Sequence, residues 1–501
     1  MMFLWLMVFT TLALHLWLRQ KYDYFRRHGI PHLPISGWSP LGHLGQLLFL
    51  RISFGDLFQQ IYADPRCEKA KVVGFFLFQT PALMIRDPEL IRMVLIKHFN
   101  SFLNRYEAAD AGDLMGALTL PLAKYHNWKE SRQCMSQLFT SGRLREVMYP
   151  LMLRVADDLE HYLDRKMGAR SERVLSLGKM CQLYTTDVTG NLFYSQDVGG
   201  LRQGRSPLLK KTKELFNPNL RKVLDFMTIF FLPKWANLLG AKVFSEDYAQ
   251  FMRKLVDEHR ETRMGDLINQ LQHFQLSRSS DHYSQHPDFI ASQAGIILLA
   301  GFETSSALMG FTLYELAKAP DLQERLRSEL SEAFLTSSTS HLNYETLATL
   351  PYLKMVCLEA LRLYPAAAFI NRECTSPDAG GFSLRPHVDA ILPPGMPAYI
   401  SILGLHRDEQ FWPDPCRFNP ERFSPERAKE IIPMTYIPFG AGPHGCIGSR
   451  LGLLQLKLGI AHILRLYRVE MCHRTVNEIR FNPKTFMLES RDEIFLRFCR
   501  D

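Results

Sequence analysis

Residues 439–448 read Phe-Gly-Ala-Gly-Pro-His-Gly-Cys-Ile-Gly, and this stretch limits what the chain can become more than any other. Three glycines and a proline lead into one cysteine, Cys446, at the head of a helix-patterned run over 447–467. Glycines let backbone approach something flat and bulky. A helix start and its nearby N–H groups favour thiolate over thiol, and Phe439 is placed to pack beside the sulfur. A cysteine in that setting is a redox nucleophile or a metal ligand. The chain has nine cysteines, widely scattered, with no CxxC or CxxCH spacing, so zinc ribbons and covalent c-type haem attachment lack their ligands.

The 501 residues are 47% hydrophobic and 22% charged, a globular balance that excludes a mostly disordered chain. The net charge of +8 comes without any run of five basic residues, which argues against nucleic acid as partner. GxGxxG, Walker, HExxH and GxSxG patterns are all absent, so dinucleotide hydride transfer, phosphoryl transfer and serine hydrolysis lack their usual machinery. Met1–Leu18 carries no formal charge and spans about 27 Å as a helix, close to the thickness of a thin bilayer. Arg19, Lys21, Arg26 and Arg27 follow at once, and the positive-inside rule puts the rest of the chain in the cytosol. Without a basic leader or a small-x-small cleavage site, the segment reads as a signal anchor rather than a cleaved signal. Prolines at 31, 34 and 40 then stiffen a hinge.

Residues 71–86 are β-rich, and Asp87-Pro88 opens a helix. Helical periodicity dominates from 128 to 350: Trp128–Leu138, Val147–Arg165, Tyr248–Gln272, Phe289–Lys318 and Asp321–Phe334. Phe226–Pro233 is short and very apolar, and suits either core or a second membrane contact. Strand-like pieces at 381–402 and 479–498 flank the last helix. The fold class is mainly α with a smaller β-containing part.

Within Phe289–Lys318, Ala300 and Thr304 share a helix face, and the Thr304 hydroxyl can bond back to the Ala300 carbonyl. Gly301 removes a side chain where a ligand would press on the helix. Alone, this reads as an apolar core helix with a tolerated threonine. Glu359 and Arg362, three apart, read alone as a solvated surface pair. Trp128 and Arg132, four apart, read alone as a surface cation–π contact. The cysteine loop changes these readings, because a metal on the single Cys446 must bring its other ligands with it. Haem does so, and a thiolate proximal ligand favours O–O cleavage.

The pattern F-x-x-G-x-x-x-C-x-G, complete at Phe439, Gly442, Cys446 and Gly448, resembles the haem loop of the cytochrome P450 family. The likeness runs over essentially the whole chain. Wording such as 139–144, 300–306 and 371–374 resembles insect microsomal members of the family-6, xenobiotic-metabolising type. The resemblance implies the cytochrome P450 fold, divided into a membrane anchor (1–20), a basic, proline-rich hinge (21–45) and a haem-thiolate domain (46–501). It implies haem b with Cys446 as iron ligand, and the 300–304 groove, Ala300 and Gly301 included, over the iron, with Thr304 and Glu303 relaying protons. Glu359, Arg362 and Arg422 become a buried cluster, and Trp128 and Arg132 become partners of the haem propionates. The family usually has Arg where this chain has His444, which can still donate to a propionate with a charge that depends on pH.

The implied activity is insertion of one oxygen atom of O2 into a lipophilic substrate, a xenobiotic or a hormone-like molecule, at the endoplasmic reticulum membrane. Substrate-facing positions are implied at 106–120, Ala294–Ile297, Ala366–Ile370 and around Phe486, and none of them supplies an evident hydrogen-bond partner. No flavin or nicotinamide domain fits in the chain, so electrons come from NADPH–cytochrome P450 reductase, with cytochrome b5 as an optional second donor. Lys129, Arg132, Arg143, Arg145 and Arg450 are the expected docking cations. A reductase-independent isomerase or dehydratase, and a haem-binding sensor or carrier without turnover, are the alternatives.

Overall fold

The computed structural model describes residues 1–216, 219–259, 266–337 and 341–500. Its axis is the helix Phe289–Lys318, which carries apolar residues on every side and is buried for most of its length. A helix apolar all round belongs in a core. It packs against Leu177–Phe193 on one flank and Ser449–Leu466 on another. Among the described residues two helices are long and apolar enough to cross a membrane; the buried Phe289–Lys318 is one and Met2–Tyr22 is the other. The latter is exposed from Met2 to Trp17 except at His15, and enters the core only at Leu18 and Tyr22.

The segment after it is docked rather than loose. Tyr22 and Phe25 stack edge-on against Phe76 at 4.8 and 5.1 Å, and Ile30, Leu33 and Leu44 are buried. A Cβ on Gly74 would lie 2.6 Å from the Phe25 ring, so that strand position has to be glycine for the aromatic ring to sit there.

A four-stranded sheet stands beside the helices in the order Val72–Leu77, Thr80–Ile85, Pro397–Ser401, Phe369–Glu373. Its outer pairs are antiparallel and the central pair is parallel, and Asn371 lies opposite Tyr399. Asp87 caps the helix that follows, with Pro88 in its first turn, as the Asp-Pro signal predicts.

Two expectations change, and a segment left open takes a definite place. The run Tyr248–Gln272 is not one helix but two, Glu246–Asp257 and Leu267–Leu276; Asp266 restarts the second by accepting the Asn269 N–H, and 260–265 lies outside the described residues. Phe226–Pro233 is the end of the helix Leu220–Phe231, with Met227, Ile229 and Phe231 buried. The 479–498 stretch holds a single bridge, Phe481 to Ser490, before the strand Phe495–Arg500.

Candidate active site

The cysteine loop is shaped by its own backbone. Gly440 N–H donates to the Ile437 carbonyl at 2.9 Å, Gly445 N–H to Gly442 at 2.9 Å, and Cys446 N–H to Phe439 at 2.8 Å. Gly440 and Gly442 both sit at φ +70°, where an L side chain is strained. At Gly442 a Cβ would also stand 2.0 Å from the Leu95 carbonyl oxygen, so the loop reaches its position only because that residue has no side chain. Gly448 is under no such pressure, since a Cβ there would meet Phe139 at an ordinary 3.6 Å; what it offers is its N–H, aimed at the Cys446 sulfur.

Cys446 opens onto an interior cavity of about 970 Å³ and is accessible there, although protein crowds it on its other sides. Burial pushes its thiol pKa up, opposed by the Gly448 N–H and by Arg132 and Arg105. The helix Ser449–Leu466 starts too late for its N-terminus to reverse that. The thiolate expected from the helix start therefore has to come from a bound cation. Phe439, Ala300, Gly301, Glu303 and Thr304 line the same cavity. The Thr304 hydroxyl donates to the Ala300 carbonyl at 2.8 Å, as the i,i+4 spacing predicts, within an unbroken helix.

Gly301, on the cavity wall, is needed for a second reason as well. A Cβ there would lie 2.8 Å from Thr189 Oγ1, so the glycine admits the neighbouring helix Leu177–Phe193. Glu303 is 5% exposed, and burial, with Glu489 nearby, pushes its carboxyl up to about 8. The sign follows: the folded state keeps this proton after the unfolded chain has lost it near pH 4.5, so stability falls between about pH 5 and 8. Glu303→Gln removes that slope. Its chemical-denaturation midpoint, compared with wild type at pH 5.5 and 8.5, should gain the equivalent of about 3 kcal/mol over that interval; a constant difference would contradict the neutral carboxyl.

Beside the cavity the structure gathers more cations than the sequence suggested. Arg105, Arg132 and Arg372 surround His444, and no carboxylate forms an ion pair with any of the three among the described residues. Arg105 donates to the carbonyls of Pro121 and His444. Arg372 is buried, and burial together with Arg105 brings its pKa down to about 9. His444 packs on Trp128 with ring centroids 3.9 Å apart and planes tilted by 38°, and its Nε2 donates to the Leu103 carbonyl at 2.8 Å. Burial and the three arginines push its pKa down to about 2. It is thus a neutral ring held to backbone through Nε2, with Nδ1 left as an acceptor. Trp128 Nε1, Arg372 Nε and His444 Nδ1 are buried without a partner among the described residues. Unpaired buried guanidiniums and an orphaned indole N–H are costly unless an anion completes them. A flat group carrying two carboxylates and a metal that takes a thiolate would meet the demands of the guanidiniums, the indole and Cys446, so these residues fit haem.

The profile of the family described as cytochrome P450 matches residues 35–496. The chain belongs to the cytochrome P450 family. It is 78% identical over all of its length, and 99% of the relative's, to a probable cytochrome P450 6t3 of Drosophila melanogaster. It is 41% identical to a probable cytochrome P450 6v1 of the same fly, covering 96% of each chain. It is also 30% identical to cytochrome P450 6k1 of Blattella germanica, over 97% of this chain and 95% of that one. This cytochrome P450 is accordingly a haem-dependent monooxygenase.

In this P450 the Glu359–Arg362 pair is no surface contact, since both side chains are fully buried. Arg362 makes two 2.8 Å bonds to the Glu359 carboxylate, and gives its remaining donors to the carbonyls of His406, Pro415 and Arg417. Arg422 joins more loosely, 3.4 Å from Glu359. His406, which carries no motif of its own, extends the cluster. Its Nε2 accepts the Ile437 N–H at 2.9 Å and its Nδ1 faces the Arg362 carbonyl at 3.2 Å. Burial and the Arg362 charge push its pKa down to about 3, which keeps Nε2 an acceptor. The cluster is thereby tied to the residue two places before Phe439.

Proposed function

We propose that this P450 is a membrane-anchored haem-thiolate monooxygenase holding haem b on Cys446, with Arg105, Arg132, Arg372 and Trp128 on the propionates, and oxidising a lipophilic substrate. One observation carries the reading: the Cys446 sulfur and the Ala300–Thr304 face line a single cavity whose rim collects unpaired cations. Haem, when bound there, supplies reductive activation of O2. The chain's own groups handle protons and water. Thr304 keeps its hydrogen on the Ala300 carbonyl and turns its lone pairs to the cavity, while Glu303 next to it holds a proton at neutral pH. Phe226, Phe230, Phe486 and Phe54 cluster at ring separations of 4.3–5.7 Å and give the cavity an apolar, aromatic wall. That wall suits a lipophilic substrate.

Endoplasmic-reticulum attachment through residues 1–20 is supported by the exposed apolar helix and the basic residues behind it. A second apolar surface, exposed at Leu220, Leu224, Trp235, Leu238 and Leu239, supports a further membrane contact beside the cavity. The basic face for NADPH–cytochrome P450 reductase and cytochrome b5 is smaller than expected. Arg132 turns toward His444, and Arg145 is paired with Glu146 and Glu345. Lys129 and Arg450 remain exposed without an ion pair among the described residues.

Reconstitution with the reductase tests the reading. NADPH consumption and oxygenated product should both require the reductase, and Thr304→Ala should lower product per NADPH by roughly tenfold or more while consumption continues. Product formation from a peroxide alone, unaffected by Thr304→Ala, would favour the reductase-independent isomerase instead.

A further inference from the structure

The sequence segments expected to face substrate show no hydrogen-bond partner, but the fold assembles one. Glu107, from the 106–120 segment, and Asn371, from the strand Phe369–Glu373, are distant in sequence and both line the cavity. Asn371 is locked from both ends. Its Oδ1 accepts the Tyr106 N–H at 2.9 Å, and its Nδ2 donates to Glu107 Oε2 at 2.7 Å. Glu107 is 7% exposed and Asn371 4%, so what remains accessible is accessible through the cavity. The second carboxylate oxygen of Glu107 accepts no hydrogen bond among the described residues. Tyr399, opposite Asn371 in the sheet, is fully buried with its hydroxyl unpartnered among the described residues, and burial, with Tyr106 and Glu107 nearby, raises its pKa.

A carboxylate oxygen without a donor in an apolar cavity is under-satisfied. The flanking cations do not complete it, because neither Arg105 nor Arg372 stands within ion-pair distance of it. Arg105 and Arg372 still offset its charge at longer range, so a neutral donor suits the position better than a second cation. The wall is predominantly aliphatic and aromatic, the phenylalanine cluster included, with Glu303 and Thr304 as polar points and charged groups such as Arg221, Lys222, Asp225 and Lys484 elsewhere along it.

We propose that Glu107, positioned by Asn371, is a hydrogen-bonding subsite that receives a hydroxyl on an otherwise lipophilic substrate. The inference rests on the monooxygenase reading and narrows its substrate class to lipophilic molecules bearing a hydroxyl away from the atom oxidised.

The test uses haem-loaded protein and a matched pair of probes, 4-phenylphenol and its methyl ether, with dissociation constants from calorimetry and from the ligand-induced Soret shift. Wild type should bind the phenol about tenfold more tightly than the ether, the scale of a hydrogen bond to a charged acceptor. Glu107→Gln, which keeps shape and can still hold Asn371, should bring the two affinities together by weakening the phenol and leaving the ether unchanged. Equal affinities in wild type, or a ratio that Glu107→Gln leaves untouched, would overturn the subsite. The wild-type comparison stands even where a variant fails to accumulate. A chain that loads no haem fails the monooxygenase reading instead, which keeps the two failures apart.

Discussion

Arg362→Ala should yield no haem-loaded protein, although residue 362 lies far along the chain from Cys446. Arg362 is fully buried and feeds five hydrogen bonds, two to Glu359 and three to carbonyls on the 406–417 segment. Its loss strands the Glu359 carboxylate, with only the Asn419 N–H at 2.9 Å and the looser Arg422 left to it. Removing one partner of a buried pair costs about 3–5 kcal/mol, a large share of the roughly 5–15 kcal/mol that holds a protein folded. Because His406 links the Arg362 carbonyl to Ile437, the damage runs into the cysteine loop. Arg362→Lys should fail nearly as badly, since an ammonium cannot reproduce the planar fork. Arg422→Ala should be milder, because Arg422 stands 3.4 Å from the carboxylate and gives one further bond, to the Asp414 carbonyl. Haem content per folded protein and a thermal scan rank the three; an Arg362→Ala protein that loads haem normally would contradict the linkage.

Gly442→Ala is the second large effect. The left-handed backbone costs an L residue about 1–2 kcal/mol by itself. The added Cβ would fall 2.0 Å from the Leu95 carbonyl, and a backbone oxygen cannot rotate away as a side chain can. The loop has to shift, carrying Cys446 with it through the Gly445-to-Gly442 and Cys446-to-Phe439 bonds. The expected result is folded protein with haem lost or weakly held. Gly448→Ala serves as the contrast, because a Cβ there has ordinary room, and it should retain haem. Equal haem occupancy in the two variants would refute the steric account.

These contrasts mark where the sequence could be read and where it could not. The glycine-rich loop, the Thr304–Ala300 bond and the helix Phe289–Lys318 are local, set by spacing along one segment, and they are legible there. Arg105, Arg372 and His406 are not, because each acquires its role from a segment far away in the chain: His444, the 105–107 stretch and Ile437 respectively. Gly301 was legible as a close approach but not as an approach to Thr189, since the partner helix is not encoded nearby. The helix end at Asp257 does leave a signal, since 258–266 holds one apolar residue and closes on Gly265-Asp266, but a helix-length window averages it away. The Cys446 environment is legible only in part. A helix terminus is visible in a sequence, whereas the burial that opposes it is a property of the folded whole.

Cys446 is the residue on which haem binding depends. A reduced, carbon-monoxide difference spectrum of the wild type, run beside Cys446→Ser, tests it most directly. A strongly red-shifted Soret band in the wild type, abolished in Cys446→Ser, is the predicted result. A wild type that binds no haem, or a Cys446→Ser protein that keeps the same band, would contradict it.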